Sequence, residues 1–554
     1  TKTYKMLLKI LLINFVLYAT EIKTTQGVVR GYKDNENSIY AFYGIPYAKA
    51  PEGPHRYKAP LPAPVWLNTF EAVDKDIICP QKTDMSLGFD MMASKTVKFD
   101  CLIANIFVPD TKETNLPVIV YVHGGAFVMG SGNLVTPKKL AANNNVIVVT
   151  FNYRLGALGF LCLGTDDAPG NAGMKDQVAL LRWVQDNIAK FGGNSKDVTI
   201  AGYSAGSMSV DLLMLSKMAE GLFTKVIPES GSNLGAYAIL NDPIKKAKEF
   251  AKRKGLDNAD DFNALHDFYM NTPYEELLEP VVLPIDATGI FSPCVERKTT
   301  EKAFLTEAPY SILKAGNYKK LPLLYGLANA EGILIVIPNF ETYSKQMNED
   351  FASALPGDLY FESDSQKAEV AAMVKKFYFG DKDVTPKTVA AYIDYFTDTY
   401  FAISLARAVK LHVAAGHKEI YRYAFVDDEV LFPKPSLLKD YVGANHCAQT
   451  LAIFDGEFII EESKLSAKNI EMKNVMRELW YNFAKTSKPV PEGSTFPDWP
   501  AAGADCSPHM SLNTTLELRG PLLGERMKFW DQIYEKYYNI PTPPPAPPAK
   551  HSEL

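Results

Sequence analysis

Three runs of apolar, mostly β-branched residues constrain the fold of this chain more than any other feature of its sequence. They occupy residues 116–122, 146–151 and 198–202. A strand that is apolar along its whole length is buried on both faces, as in a parallel sheet that helices cover on either side. The three runs therefore predict buried strands of a parallel sheet.

Helical and strand patterns alternate along the rest of the chain. Residues 174–191 carry apolar side chains on one helical face and end at the glycines 192–193, which signal the end of a helix. Further apolar runs at 321–325 and 419–426 continue the alternation, whereas residues 27–50 predict short antiparallel strands at the start. This order is typical of an α/β chain with a central, mostly parallel sheet.

Composition and charge limit the classes of partner. The chain has 554 residues, of which 47% are hydrophobic and 22% charged, and its net charge is −6. A large folded core is therefore possible, and the unclustered Lys and Arg residues make nucleic acid or an anionic membrane unexpected as a partner. We predict one domain over residues 21–540 and an extended, mobile, proline-rich tail over 541–554. The oligomeric state stays open.

The two ends of the chain indicate the secretory pathway. Residues 1–20 resemble a signal peptide, because lysines surround an apolar run too short for a stable membrane insertion; a buried first helix is the alternative. Six cysteines show no metal-ligand spacing, and secretion would permit disulfides. Asn513 begins a glycosylation sequon. Residues 551–554 resemble an endoplasmic-reticulum retrieval signal, so the protein is expected to be secreted or retained in that lumen, unless the ending is fortuitous.

A candidate nucleophile follows the third apolar run. That run leads into Gly202-Tyr203-Ser204-Ala205-Gly206, the Gly-x-Ser-x-Gly pattern of a nucleophile elbow. Glycine on both sides of the serine avoids collisions with neighbouring elements and tolerates the strained dihedrals of a tight turn. The pentapeptide can occur by chance, but its place between a strand and the helix-like segment 208–215 predicts that Ser204 is catalytic.

A glycine-rich segment follows the first apolar run. It reads His123-Gly124-Gly125-Ala126, and backbone amides in such a loop can approach a developing oxyanion closely. We predict that the amides of Gly125 and Ala126 donate to this oxyanion, together with the amide of Ala205 after the nucleophile. Taken alone, the segment could equally be a plain tight turn.

The candidate base follows from chain order, because triads of this type run Ser, acid, His. Of eight histidines, six lie too early, in a helical pattern or in the tail. His446 and His509 remain. The position of His446 in a loop after the 419–426 strand favours it.

The candidate acid should lie in the loop after the 321–325 run. Glu331 is the single carboxylate of residues 327–332. It would hold the imidazole in its productive tautomer and stabilise its charged form. A solvated loop glutamate is the alternative.

A succession of motifs resembles the type-B carboxylesterase/cholinesterase family, most closely the insect carboxylesterases, over nearly the whole chain. The motifs are FYGIPYA at 42–48, DCL at 100–102, HGGAF at 123–127, NYRLG at 152–156, GNAGMKDQ at 170–177, GYSAG at 202–206 and SGS at 230–232. The resemblance implies an α/β-hydrolase fold. It also implies hydrolysis of small-molecule esters through an acyl-enzyme, with no metal or organic cofactor.

The resemblance implies further roles for individual residues. It implies a disulfide between Cys79 and Cys101 and a role for Ser230 in supporting the acid, and it leaves the pairing of the other four cysteines open. The family usually has Glu where this chain has Phe99, so an ion pair expected there should be missing.

Other departures from the family bear on substrate and on the base. The residue before the nucleophile is often Glu but here is Tyr203, and the segment between Cys79 and Cys101 lacks the Trp that would bind a choline head group. Both changes argue against choline esters. Juvenile-hormone esterases usually have Gln before the nucleophile. Gln449 replaces the acidic residue usual three positions after the base, which leaves the tuning of the base open.

These features predict a serine carboxylesterase that hydrolyses uncharged esters of xenobiotic, odorant or pheromone type. A juvenile-hormone esterase or a lipase-like enzyme is the alternative among ester hydrolases. From another class, the alternative is a catalytically inactive adhesion protein of the same fold, which the filled triad positions disfavour.

Overall fold

A computed structural model describes residues 19–548, except 84–93, 428–435, 457–458 and 460. The predicted signal peptide lies outside the described residues, apart from Ala19 and Thr20, which begin the first strand. The C-terminal tetrapeptide lies outside them as well.

The described residues contain fifteen strands. In chain order they are β1 (Ala19–Lys23), β2 (Val28–Asp34), β3 (Ile39–Pro46), β4 (Phe70–Glu71), β5 (Ile77–Ile78), β6 (Thr96–Val97), β7 (Ile103–Pro109), β8 (Leu116–Val122), β9 (Ile147–Phe151), β10 (Gly193–Tyr203), β11 (Lys225–Glu229), β12 (Leu323–Ala328), β13 (Ile420–Phe425), β14 (His509–Leu512) and β15 (Glu517–Arg519). Within the described residues, thirteen of them form one sheet, in the order β1-β2-β3-β7-β9-β8-β10-β11-β12-β13-β14-β15 with β4 beside β2. The pair β1–β2 and the pair β2–β3 are antiparallel, and the second pair lies within residues 27–50, where the sequence predicted antiparallel strands.

The described residues contain fourteen α-helices, and those at 138–144, 172–187, 205–215 and 467–486 pack against strands of this sheet. In chain order they are α1 (Lys138–Asn144), α2 (Gly156–Phe160), α3 (Ala172–Asn187), α4 (Ala205–Leu215), α5 (Pro243–Arg253), α6 (Phe262–Asn271), α7 (Pro309–Ala315), α8 (Ile333–Glu349), α9 (Asp364–Phe379), α10 (Val389–Thr397), α11 (Ile403–Ala414), α12 (Ala448–Ile453), α13 (Ala467–Thr486) and α14 (Gly524–Tyr537). None of these helices combines the length and apolar character needed to cross a bilayer.

The centre of the sheet is parallel and buried on both faces. Strands β8, β10, β11, β12 and β13 are consecutive neighbours and run in the same direction. Because strand side chains alternate, Val118 and Val120 enter one core layer whereas Ile119 and Tyr121 enter the other. The prediction of a doubly buried parallel sheet is confirmed. The carboxyl ends of these strands meet at one edge, where loops of this architecture form ligand sites.

Two predicted boundaries shift in the structure. The helix expected over 174–191 is α3, followed by one 3₁₀ turn over 188–191, and it stops at Gly192 with φ of 89°. The strand expected over 321–325 continues to Ala328, because its pairing with β13 runs on to Ala328 opposite Phe425. Strand β12 therefore includes the first two residues of the loop predicted over 327–332, and Glu331 lies in the part of the loop that is left.

Two disulfides cross-link the described residues. Cys79 bonds to Cys101, as the resemblance implied, and Cys162 bonds to Cys294, a pairing that the sequence left open. Phe99, beside the first bond, packs its ring against Tyr274 at 5.2 Å between centroids. An aromatic contact therefore occupies the position where the family usually has a charged residue.

The described part of the proline-rich tail, 541–548, forms neither helix nor strand. Pro541 and Pro544 are buried while the two residues between them are exposed, a spacing of three that matches a polyproline II helix. A Cβ on Gly164 would lie 2.7 Å from Pro544 Cγ, so the tail packs on the domain there. The first four residues of the tail therefore lie against the domain rather than projecting freely.

Candidate active site

Ser204 occupies a strained turn between β10 and α4. Its φ is 55° and its ψ −125°, a conformation that costs a non-glycine residue about 1–3 kcal/mol and that clusters at functional sites. A Cβ on Gly202 would lie 2.5 Å from the Gly206 carbonyl oxygen, and one on Gly206 would lie 2.1 Å from that of Val122. Both flanking glycines are therefore required by backbone packing, for the reason that the sequence suggested.

The elbow is tied to the neighbouring strand. The Ser204 N–H donates to the Glu229 carbonyl at the end of β11, with a distance of 2.9 Å. Ser204 is partly exposed, whereas Ala205 and the rest of α4 are buried. Because the first N–H groups of a helix have no acceptor within it, the Ala205 amide is free to donate beside the serine, at the positive end of the helix dipole.

The glycine-rich loop after β8 lies directly against the elbow. A Cβ on Gly124 would be 2.9 Å from Ser204 Cβ. Gly125, Ala126 and Phe127 have consecutive positive φ values of 110°, 54° and 61°. A Cβ on Gly125 would lie 2.2 Å from the Met129 carbonyl oxygen, so glycine is obligatory there. The structure therefore places the loop that carries Gly125 and Ala126 against the nucleophile.

His123 fixes the orientation of this loop. Its Nδ1 lies 2.8 Å from the Gly124 carbonyl oxygen, and since a carbonyl only accepts, Nδ1 carries the proton. Burial lowers the pKa of His123 to about 4, so the ring is neutral. The C=O and N–H of a trans peptide point in opposite directions. Holding the Gly124 carbonyl therefore directs the Gly125 N–H away from His123.

The candidate acid and base are hydrogen-bonded. His446 Nδ1 lies 2.5 Å from Glu331 Oε2, and both side chains are buried. Their loops interlock, because the Ala330 N–H donates to the Ala444 carbonyl at 3.0 Å and the Ala444 N–H donates to Asn329 Oδ1 at 2.8 Å. Glu331 is thus the partner of His446 and not the solvated loop residue that was its alternative.

Glu331 accepts two further hydrogen bonds. Its Oε1 takes the Ala328 N–H at 2.7 Å and the Ser230 hydroxyl at 2.5 Å. Ser230, whose φ is 59°, in turn accepts from Gln449 Nε2 at 2.5 Å. Ser230 therefore supports the acid, as the resemblance implied, and Gln449 joins a network that sequence reasoning had left open.

Phe401 covers one face of the base and was not indicated by any sequence pattern. Its ring stacks on His446 at 4.5 Å between centroids, with 25° between planes. It lies in a π-helical turn, Asp398–Ala402. Such turns are rare in proteins as a whole, but they occur frequently at functional sites. Thr397 Oγ1, next to this turn, accepts the Gly332 N–H at 2.9 Å. The π-turn and the residue before it thus contact both the base and the acid loop.

Two neighbours of the nucleophile, Tyr203 and Glu229, are uncharged near neutral pH. Tyr203 stacks on Tyr121 at 6.2 Å, and burial raises the pKa of its hydroxyl well above the usual value. Burial also raises the pKa of Glu229 to about 8. The Glu229 carboxyl contacts the Tyr423 hydroxyl and, at 3.2 Å, Thr450 Oγ1.

The remaining predicted residues lie on a hairpin at the sheet edge. His509, the second candidate for the base, is in β14 and its Nδ1 donates to the Gly520 carbonyl at 2.7 Å. Asn513 is half-buried in the turn between β14 and β15. The structure thus pairs His446, and not His509, with the acid.

The chain matches the model of the carboxylesterase family over residues 18–530. It belongs to that family. This carboxylesterase is 32% identical to the juvenile hormone esterase of Heliothis virescens over 497 residues, which cover 86% of this chain and 87% of the relative. It is also 32% identical to the para-nitrobenzyl esterase of Bacillus subtilis strain 168, with 87% of this chain and 92% of the relative covered.

A solved structure extends the likeness to the fold. The juvenile hormone esterase from Manduca sexta, with OTFP covalently attached, superposes on this carboxylesterase with a TM-score of 0.82 at 29% identity, covering 93% of this chain and 100% of that one. The protein is a carboxylic ester hydrolase with the α/β-hydrolase fold, as the motifs implied.

Proposed function

We propose that this carboxylesterase hydrolyses uncharged carboxylic esters through an acyl-enzyme on Ser204. The hydrogen bond of 2.5 Å between Glu331 and His446 carries the proposal, because it forms at the sheet edge that also holds the Ser204 elbow. A nucleophile, an oriented base and a loop of backbone donors are the parts that acyl transfer requires.

Each part has a role in the proposed mechanism. His446 takes the proton of Ser204 as its oxygen attacks the ester carbonyl, and Glu331 stabilises the imidazolium that forms. The amides of Gly125, Ala126 and Ala205 donate to the tetrahedral oxyanion, each contributing about 3 kcal/mol. The alcohol leaves with a proton from His446. Water activated by His446 then hydrolyses the acyl-enzyme.

The lining beside the base supports an uncharged substrate. Phe401 lies against the imidazole, so an apolar ring borders the base. Tyr203 provides no carboxylate where a cationic choline head would need one. These aromatic rings favour apolar acyl or alcohol groups, as in xenobiotic, odorant or pheromone esters.

Juvenile hormone is the second candidate substrate. The relatives from Heliothis virescens and Manduca sexta, both named juvenile hormone esterases, match this chain over most of its length. Juvenile hormone is itself an uncharged ester, so the same lining suits it.

Removal of the nucleophile tests the mechanism. Ser204→Ala should lower kcat for p-nitrophenyl acetate by at least about 10³-fold and abolish labelling by a fluorophosphonate. His446→Gln should do the same to turnover, whereas His509→Gln, the matched control, should keep it. Unchanged turnover in Ser204→Ala would sink the assignment.

A substrate panel tests the specificity. We expect naphthyl and p-nitrophenyl esters to be hydrolysed and butyrylcholine to be hydrolysed at least about tenfold less efficiently in kcat/KM. A kcat/KM for juvenile hormone well above those of the aryl esters would instead make it the preferred substrate. Preference for butyrylcholine would contradict the proposal.

We also propose that the carboxylesterase enters the secretory pathway. Residues 1–20 would be the signal peptide, 21–540 the catalytic domain and 541–554 the tail, and Asn513 would be glycosylated. In insect-cell expression, Asn513→Gln should abolish the mass shift caused by a glycosidase, and deletion of 551–554 should raise the fraction in the medium if that segment retains the protein. An unprocessed N-terminus would contradict the signal peptide.

A further inference from the structure

The acid and base of the proposed site belong to a closed ring of four side chains. Gln449 Nε2 lies 2.5 Å from Ser230 Oγ, Ser230 Oγ lies 2.5 Å from Glu331 Oε1, and Glu331 Oε2 lies 2.5 Å from His446 Nδ1. Gln449 in α12 follows His446 by three residues, so the backbone closes the ring. Gln449 and Glu331 are fully buried.

The positions of the protons in this ring follow from chemistry. Ser230 has one hydroxyl proton, and its oxygen lies at hydrogen-bond distance from both Glu331 and Gln449. The amide Nε2 of Gln449 can only donate. The hydroxyl proton must therefore lie on the bond to Glu331, where both carboxylate oxygens act as acceptors.

The opposite orientation of the Gln449 amide is unfavourable. If Oε1 faced Ser230, the hydroxyl proton would turn to Gln449, and the Ser230 and Glu331 oxygens would then face each other at 2.5 Å without a proton between them. A buried acceptor pair of that kind costs more than an unused amide oxygen, which accepts nothing from the described residues.

We propose that Gln449 is a positioning residue for ester hydrolysis: its amide holds the Ser230 proton on Glu331 and so keeps that carboxylate directed at His446. The inference rests on the proposed function. The acidic residue that the family usually has at this position can donate to Ser230 only while it is protonated, whereas the amide donates at every pH. Once ionised, such a residue would compete with Glu331 for the Ser230 proton.

The charges around the ring make this competition costly. Glu229, Cys447 and Tyr423 face Glu331 from β11, from the turn before α12 and from β13. Burial raises the pKa of Glu229 to about 8 and the pKa of Cys447 well above the usual value, and the pKa of Tyr423 is raised in the same way. All three are neutral near pH 7. A carboxyl at 449 would be buried among the same groups, so it would ionise only at higher pH, and its negative charge would then lie beside Glu331.

Gln449→Glu tests the inference directly. Measured with p-nitrophenyl acetate from pH 5 to 9, and per active site titrated with a fluorophosphonate, kcat/KM of the variant should stay close to that of the unmodified protein at low pH. It should fall about tenfold towards the alkaline end, where the new carboxyl ionises and competes for the Ser230 proton. Gln449→Met, which cannot ionise, should show no such alkaline fall.

A matched control separates positioning from mere burial of charge. Gln177 is also fully buried and donates to a serine, Ser209 Oγ at 3.2 Å, but in the packing of α3 on α4. Gln177→Glu should lower stability without producing this alkaline fall in kcat/KM per titrated site. The same fall in the two Glu variants, or none in Gln449→Glu, would overturn the inference.

A double-mutant cycle applies even if Gln449→Glu does not fold. Since Gln449 acts through Ser230, the variant carrying Ser230→Ala and Gln449→Met should lose no more kcat/KM than Ser230→Ala alone. Fully additive losses would overturn the inference. Neither result bears on the proposed function, which fluorophosphonate labelling of Ser204 in the unmodified protein tests separately.

Discussion

The two halves of the site are held together by different forces. Around the nucleophile, backbone meets backbone: Gly202, Gly206 and Gly125 are required because a Cβ there would lie 2.1–2.5 Å from a carbonyl oxygen. Around the acid and base, side chains from three loops are joined by hydrogen bonds of about the same length. The first half is fixed by excluded volume and the second by the placement of protons.

This difference predicts different responses to substitution. A Cβ added at one of these glycines cannot be accommodated by a small adjustment. A protein interior is densely packed, so the backbone cannot move by more than a few tenths of an ångström. A hydrogen-bond network responds in steps, according to which group donates and which accepts. Substitutions around the nucleophile, which we call the steric half, should therefore disturb folding and activity together. Substitutions around the acid and base, which we call the polar half, should lower activity while the protein stays folded.

The largest effect is expected for Gly206→Ala. The new Cβ would lie 2.1 Å from the Val122 carbonyl oxygen and 2.8 Å from that of His123, so the elbow must shift. We expect a loss of at least about 3 kcal/mol in the free energy of unfolding and a loss of nearly all activity. Urea unfolding and turnover measure the two. In the control Gly520→Ala, no atom lies within 4 Å of the added Cβ, so the free energy of unfolding and the turnover should both stay close to those of the unmodified protein.

Glu331→Gln should abolish activity without unfolding the protein. The variant side chain is isosteric, but its amide cannot accept from Ser230, Ala328 and His446 together, so the imidazole takes the wrong tautomer. We expect kcat to fall about 10³–10⁴-fold with a small change in thermal midpoint. Retention of more than about a tenth of wild-type kcat would show that the polar half does not depend on that proton arrangement.

The smallest effect on activity is expected for Glu229→Gln, whose consequence lies in stability. Burial raises the pKa of Glu229 from 4.5 to about 8, so its stabilising contribution is complete below pH 4.5 and is lost as the pH rises through 8. The Glu229→Gln variant should not show this loss of stability. Between pH 5 and 8.5, the free energy of unfolding of the variant should therefore rise by on the order of 3 kcal/mol relative to that of the unmodified protein, with kcat nearly unchanged. A constant difference across that range would contradict the buried neutral carboxyl.

The sequence revealed the steric half more completely than the polar half. Ser204, Gly125, Ala126 and Ala205 lie in short contiguous motifs, because a tight turn is built from neighbouring residues. Glu331 and His446 could be inferred from chain order and from the strands before them, although the end of β12 was placed three residues too early.

Contacts between distant segments could not be inferred in this way. The bond from Gln449 to Ser230 spans 219 residues, and the Cys162–Cys294 pair spans 132. Phe401 contacts His446 from a π-turn, and neither its spacing nor its neighbours in the sequence differ from those of an ordinary apolar helix. Such contacts depend on how loops meet after the sheet has formed.

The Cys162–Cys294 bond has a practical consequence for peptide mapping. The covalent loop that it closes contains Ser204 but neither Glu331 nor His446. The exposed segment around Lys217 and Glu220 lies inside this loop and offers a protease a cleavage point. After a single cut there, the serine-labelled piece should migrate with the intact chain on a gel run without reductant, and separate from the remainder once dithiothreitol is added.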